Sequence, residues 1–115
     1  MKIQSFRKAS KITSKTCYRN IYERGIKKSS RFFTTVSCGN PAGIKRLGIT
    51  VTKKTGNAVR RNRMKRLVRE FFRRNKNLFP EDHDVVIMAK KNIPHLSYRE
   101  AAEELTELLL RRTGK

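Results

Sequence analysis

Between Asn57 and Asn75 the sequence reads as one long helix, and no other segment restricts the fold as much. Ala58, Met64, Leu67, Val68, Phe71 and Phe72 form its apolar stripe, at i, i+3, i+4, i+7 spacing from Met64 onward. Arg61, Lys65, Arg66, Arg69 and Arg73 share a broad opposite face with Asn62, and Arg60 and Arg63 stand near the boundary. Asn57 suits the N-cap, because its side-chain oxygen can accept a free amide of the first turn. A solvated helix face ordinarily mixes signs, whereas Glu70 is the only acid on this one. Arginine offers forked donors and permanent charge, and a rigid helix fixes their spacing, which is what phosphate recognition needs.

The rest of the composition points the same way. Of 115 residues, 29 are Lys or Arg and nine are Asp or Glu, a formal net charge of +20. Up to Pro80 there are 23 basic residues and two acids, Glu23 and Glu70, so the excess belongs to the first two-thirds. Such charge opposes compaction and implies a polyanionic partner. The length suits one domain, residues 1–115, with residues 1–12 a loosely held basic arm. Cys17 and Cys38 lack CxxC spacing and read as reduced thiols of a cytoplasmic protein. No apolar run approaches the roughly 18 residues of a membrane span.

Catalytic chemistry has nowhere to sit in the basic part. The first 80 residues contain no Asp, no His and only two Glu. No carboxylate pair or metal cage can be built there, so no catalytic residue is expected and a protein-only nuclease is excluded. His83 and His95 have no Cys or carboxylate at ligand spacing, so no metal site is expected either.

Local patterns supply the other elements. Cys17, Tyr18, Ile21 and Tyr22 recur at helical spacing within Thr13–Arg24, before Gly25 as a stop. Arg31–Cys38 reads as a strand. Leu47–Thr52 alternates cleanly and reads as a second strand, hairpin-paired with the first. Lys53 and Lys54 end it and approach the long helix's N-terminus, whose free amides attract anions. Asp84–Ala89 is apolar on both faces, as expected of a central strand. Ser97 and Glu100 form a capping box for a last helix, with Ala101, Leu105, Leu108 and Leu109 on its inner face. The result is an α+β sandwich. Tyr18, Tyr22, Phe32 and Phe33, interleaved with basic residues, suit either base stacking or the core.

The stretch from Arg46 to Glu70 resembles the signature of the bacterial ribonuclease P protein subunit. Its elements are a strand ending in Lys53-Lys54, then Gly56-Asn57-Ala58-Val59, then Arg61-Asn62-Arg63, followed by Lys65, Arg66, Arg69 and Glu70. Tyr18 and Tyr22 stand where that family usually has two spaced aromatics, often Phe. The resemblance extends over roughly residues 6 to 112 and implies an αβββαβα order with an uncommon left-handed crossover. It implies partnership with a catalytic RNA whose bound Mg²⁺ cleaves precursor tRNA to make the mature 5′ end, with no cofactor bound tightly by the protein and no obligate protein partner. It assigns Arg61, Asn62, Arg63, Lys65, Arg66 and Arg69 to the catalytic RNA. Tyr18, Tyr22, Phe33, Lys53, Lys54, Asn57 and Arg60 would line a cleft for the single-stranded 5′ leader. Composition alone leaves a ribosomal-type RNA-binding module as the competing reading.

Overall fold

Strand-forming segments with apolar faces must bury them, and three such strands join a fourth, polar one in a single sheet. The computed structural model describes residues 12, 15–40, 43–91 and 93–110. In chain order the elements are α1 (Lys15–Arg24), β1 (Ile26–Ser29), β2 (Phe33–Gly39), β3 (Arg46–Thr50), α2 (Ala58–Arg74), a short 3-10 turn (Lys76–Leu78), β4 (His83–Ala89) and α3 (Tyr98–Leu110). The sheet order is β1-β2-β4-β3. β4, apolar from Val85 to Ala89, lies centrally as expected, antiparallel to β2 and parallel to β3.

That order corrects one expectation. β3 does not form a hairpin with β2; the hairpin is β1–β2, with Ile26 opposite Ser37 and Ser29 opposite Thr34. Among the described residues, β3 is an edge strand whose one sheet neighbour is β4, reached through α2. Alternation marks a strand and its faces but carries no information about which strand it pairs with. β1, Ile-Lys-Lys-Ser, is mostly exposed and so leaves no hydrophobic period to read.

The sheet separates two cores. On one face α2 and α3 pack with Phe33, Leu47, Val85 and Ile87 around Met64, Val68, Phe71, Phe72, Leu105 and Leu108. On the other face α1 contributes Ile21 to a smaller cluster with Ile12, Val36 and Val86, flanked by Tyr18, Tyr22, Cys38 and Met88. Ile12, expected in a loose arm, is buried there, and its amide donates to the Leu47 carbonyl. The helix ends follow the expected chemistry. The Arg60 amide donates to Asn57 Oδ1 at 2.9 Å, and Ser97 and Glu100 exchange bonds of 2.9 and 3.1 Å. Ala58, assigned to the apolar stripe, is exposed, because α2 meets the core only from Met64 onward. Cys38 is a free, half-buried thiol; the side chain of Cys17 lies outside the described part.

Gly48 on β3 lets α1 settle onto the sheet. A Cβ there would stand 2.8 Å from the Tyr18 hydroxyl and 3.0 Å from its ring. Gly48→Ala is expected to push Tyr18 off the strand and destabilise the protein by about 1–3 kcal/mol in urea unfolding. Gly39→Ala, whose Cβ would find nothing nearer than 4.0 Å, serves as the near-neutral control.

Candidate nucleic-acid interface

Burying Met64, Val68, Phe71 and Phe72 leaves the remaining circumference of α2 to its cations. Asn62 and Arg66 stand at the exposed crest; Arg61, Arg63, Lys65 and Arg69 are half-buried along their stems on the two flanks. Long basic side chains lie along apolar surface in this way and keep their charge in water. Arg63, Lys65, Arg66 and Arg69 make no hydrogen bond or ion pair with any described residue. Two neighbours have structural duties instead. Arg60 donates to the Ile93 carbonyl at 3.1 Å, and Arg61 donates back to the Gly56 carbonyl at 3.0 Å. Glu70 is engaged by Arg73 and by Arg74, the latter at 2.6 Å, and those hydrogen bonds hold its carboxyl below the usual range. The one acid of the helix is thus compensated locally.

The opposite face of the sheet carries a second concave surface. Tyr18, Arg19, Tyr22, Glu23 and Thr50 line a groove of about 530 Å³ between α1 and the β3 edge. The two rings, four residues apart on α1, lie with centroids 6.2 Å apart, tilted by 42°. Tyr22 Oη pairs with Thr50 Oγ1 at 3.2 Å, and a backbone hydrogen bond links the Tyr18 phenol to Ile49. Sheet register adds Ser29, Thr34 and Met88 to the Thr50 row, and Ser29 and Thr34 share a hydroxyl pair at 3.0 Å. Lys53 and Lys54 follow within four residues of Thr50, exposed in the turn that leads to α2. Thr50, Thr34 and Ser29 were not foreseen. The only signal in the sequence was polar alternation along β3.

The family model for Ribonuclease P matches residues 6–113 of the chain. The ribonuclease P protein component of Syntrophus aciditrophicus is 45% identical over 109 residues, covering 95% of this chain and 92% of that one. The protein from Thermotoga maritima is 32% identical over 115 residues, 96% and 98% of the two chains. Its solved structure aligns with a TM-score of 0.80 over 90% of this chain and 98% of that one. The RNase P protein of Staphylococcus aureus, also 32% identical, aligns at 0.81 over 89% and 94%. The chain belongs to the ribonuclease P protein family. The likeness spans α1 to α3, so it takes in both surfaces just described.

Within this family member one cleft residue needs correction. Phe33 is fully buried on the α2–α3 side of the sheet, away from Tyr18 and Tyr22. Neighbouring residues of a strand point to opposite faces, and it is Thr34 and Val36 that share α1's face. Asn57 is spent in part as the α2 cap, and Arg60 in part as a strut to Ile93. Among the described residues, no group of three or more His, Cys, Asp or Glu side chains stands together to hold a metal ion. No helix among them is long and apolar enough to cross a membrane.

Burial first, and Tyr22 second, raise the Tyr18 phenol above its ordinary value of 10.0, against the opposing bond from Ile49. A raised pKa means that the folded state holds the phenolic proton more tightly. The associated stability is present at neutral pH and lost as pH climbs past about 10. The unfolding free energy of Tyr18→Phe should therefore gain on that of the natural protein between pH 8 and pH 11. Parallel curves would show that this phenol is not the titrating group.

Proposed function

We propose that this chain, as one RNA-binding unit, is the protein component of ribonuclease P and acts with a catalytic RNA to remove the 5′ leader of precursor tRNA. Arg61, Asn62, Arg63, Lys65, Arg66 and Arg69 on α2 contact the catalytic RNA. The observation that carries this is a rigid helix presenting four basic side chains with no partner among the described residues, in a member of that family. An RNA phosphate supplies the missing counter-charge, and fixed spacing makes the contact selective for a folded RNA. The α1 groove takes the single-stranded leader, with Tyr18 and Tyr22 as stacking faces, the Tyr22–Thr50 hydroxyl pair at its floor and Lys53, Lys54, Asn57 and Arg60 toward α2. Such a groove accepts any base, since each offers a π-face.

The chemistry of cleavage belongs to the RNA and the Mg²⁺ that it holds, since the basic part of this chain has no carboxylate cluster to bind one. The protein lowers phosphate repulsion and orients the substrate. It works in the cytoplasm, without an obligate protein partner or a cofactor of its own.

Reconstitution with the catalytic RNA and a precursor tRNA should lower the Mg²⁺ needed for 5′ cleavage, while the purified protein alone leaves the tRNA intact. Arg66→Ala and Arg69→Ala should each reduce the salt dependence of RNA binding by about 0.7–0.9 units of slope. An unchanged slope in both would remove α2 from the interface.

Tyr22→Ala tests the groove. Losing one stacking contact should cost about 1–3 kcal/mol with precursor tRNA and nothing with mature tRNA, which has no leader. Equal loss for both, or a collapsed thermal melt, would make Tyr22 a packing residue only.

A further inference from the structure

On its α3 flank, α2 borders a second groove that the leader cleft does not include. Arg63, Arg66, Leu67, Glu70 and Arg74 of α2 line it, and Tyr98 of α3 closes it, around about 530 Å³. That lies within the roughly 300–1,000 Å³ span of ligand clefts. Arg63 and Arg66 bring charge that no described residue neutralises. The acid in the groove does not cancel them, because Glu70 is already paired with Arg73 and Arg74. The same pairing orients Arg74, whose guanidinium carbon sits 5.0 Å from the centroid of the Tyr98 ring. Tyr98 is half-buried and packs on the core, so the ring is held in place. The groove thus has a cationic mouth, an aliphatic wall at Leu67 and a flat aromatic–guanidinium wall opposite.

We infer that this groove seats one unpaired nucleotide of the catalytic RNA, its base against the Arg74–Tyr98 wall and its phosphate between Arg63 and Arg66. The inference rests on α2 being the RNA-binding helix, and extends that interface onto α3. A base in a duplex presents only its edge to a groove, so the site selects an extruded or looped nucleotide. Glu70 acts as a positioning residue, holding Arg74 against the ring. An acidic protein segment would find the same cations but gain nothing from the flat wall.

The chain contains no tryptophan, so Tyr98→Trp introduces a single reporter. Stacking of a base should quench its fluorescence as the catalytic RNA is titrated in; emission unchanged at saturating RNA overturns the inference. Tyr98→Leu keeps the packing and removes the ring. It should weaken RNA binding roughly 5- to 150-fold with the salt slope unchanged, while Tyr98→Phe stays near the natural affinity. Natural affinity in a folded Tyr98→Leu protein also overturns it. Arg69→Ala, outside the groove and read by salt slope in the same titrations, separates the two levels. Loss of slope there with no effect at Tyr98 removes only the nucleotide site. No loss of slope removes the RNA-binding helix itself.

Discussion

Packing of Met64, Val68, Phe71 and Phe72 against the sheet holds the molecule together and orients its chemistry. Each of these side chains is nearly removed from water, a gain of roughly 1.5–3 kcal/mol apiece. The stripe is narrow, and α2 is otherwise basic, so the helix has one way to lie. Burying the stripe turns Asn62 and Arg66 outward and sets Arg63 and Arg69 on opposite flanks. The repulsion among these cations is a cost that the core must offset. An RNA partner would lift it, which ties the basic face of α2 to the stripe that anchors the same helix in the core.

Local pairing decides which cations remain available. Glu70 engages Arg73 and Arg74, Asp84 holds Arg46 at 2.7 Å, and Glu81 faces Lys45 at 3.5 Å. These acids lie at the C-terminal end of α2 and around the start of β4. Among the described residues, nothing comparable pairs with the middle of α2. The uneven distribution leaves the helix with a paired C-terminal end and a middle whose cations have no described partner. On α3, Glu104 serves the fold, accepting the Phe32 amide at 2.6 Å and so anchoring the turn between β1 and β2.

The α1 groove and the basic face of α2 lie on opposite layers yet share one connection. β3 contributes Thr50 to the α1 groove and then runs, through Lys53 and Lys54, into α2. A short segment therefore sets the distance between an aromatic-lined groove and a basic helix. Gly48 and Gly56 allow close approach along this route. Tyr18 lies over the first, and the second, at φ 155°, lies under the Arg60 stem. The groove and the helix are placed by the same stretch of backbone.

The long helix, its cap, its stripe from Met64 onward, the central β4 and the capping box at Ser97 were legible because each depends on neighbours three or four positions away or, for β4, on an unbroken apolar run. The Gly56–Glu70 string was legible as a family resemblance for the same reason of locality. Sequence could not show that β3 pairs with β4 rather than β2, since alternation is blind to the partner strand. Nor could it place Phe33: both Phe32 and Phe33 are large and apolar, and the exact strand start decides which face each takes. The hydroxyl row of Ser29, Thr34 and Thr50, and the meeting of Arg74 with Tyr98, join residues far apart in the chain. Sequence by itself determined the buried stripe of α2 from Met64 onward, the apolar run of β4 and the basic face of α2, because hydrophobicity and helical period are local properties. Only the tertiary structure decided which of the charged and aromatic residues share a groove, because that depends on strand order and helix packing, which no local pattern encodes.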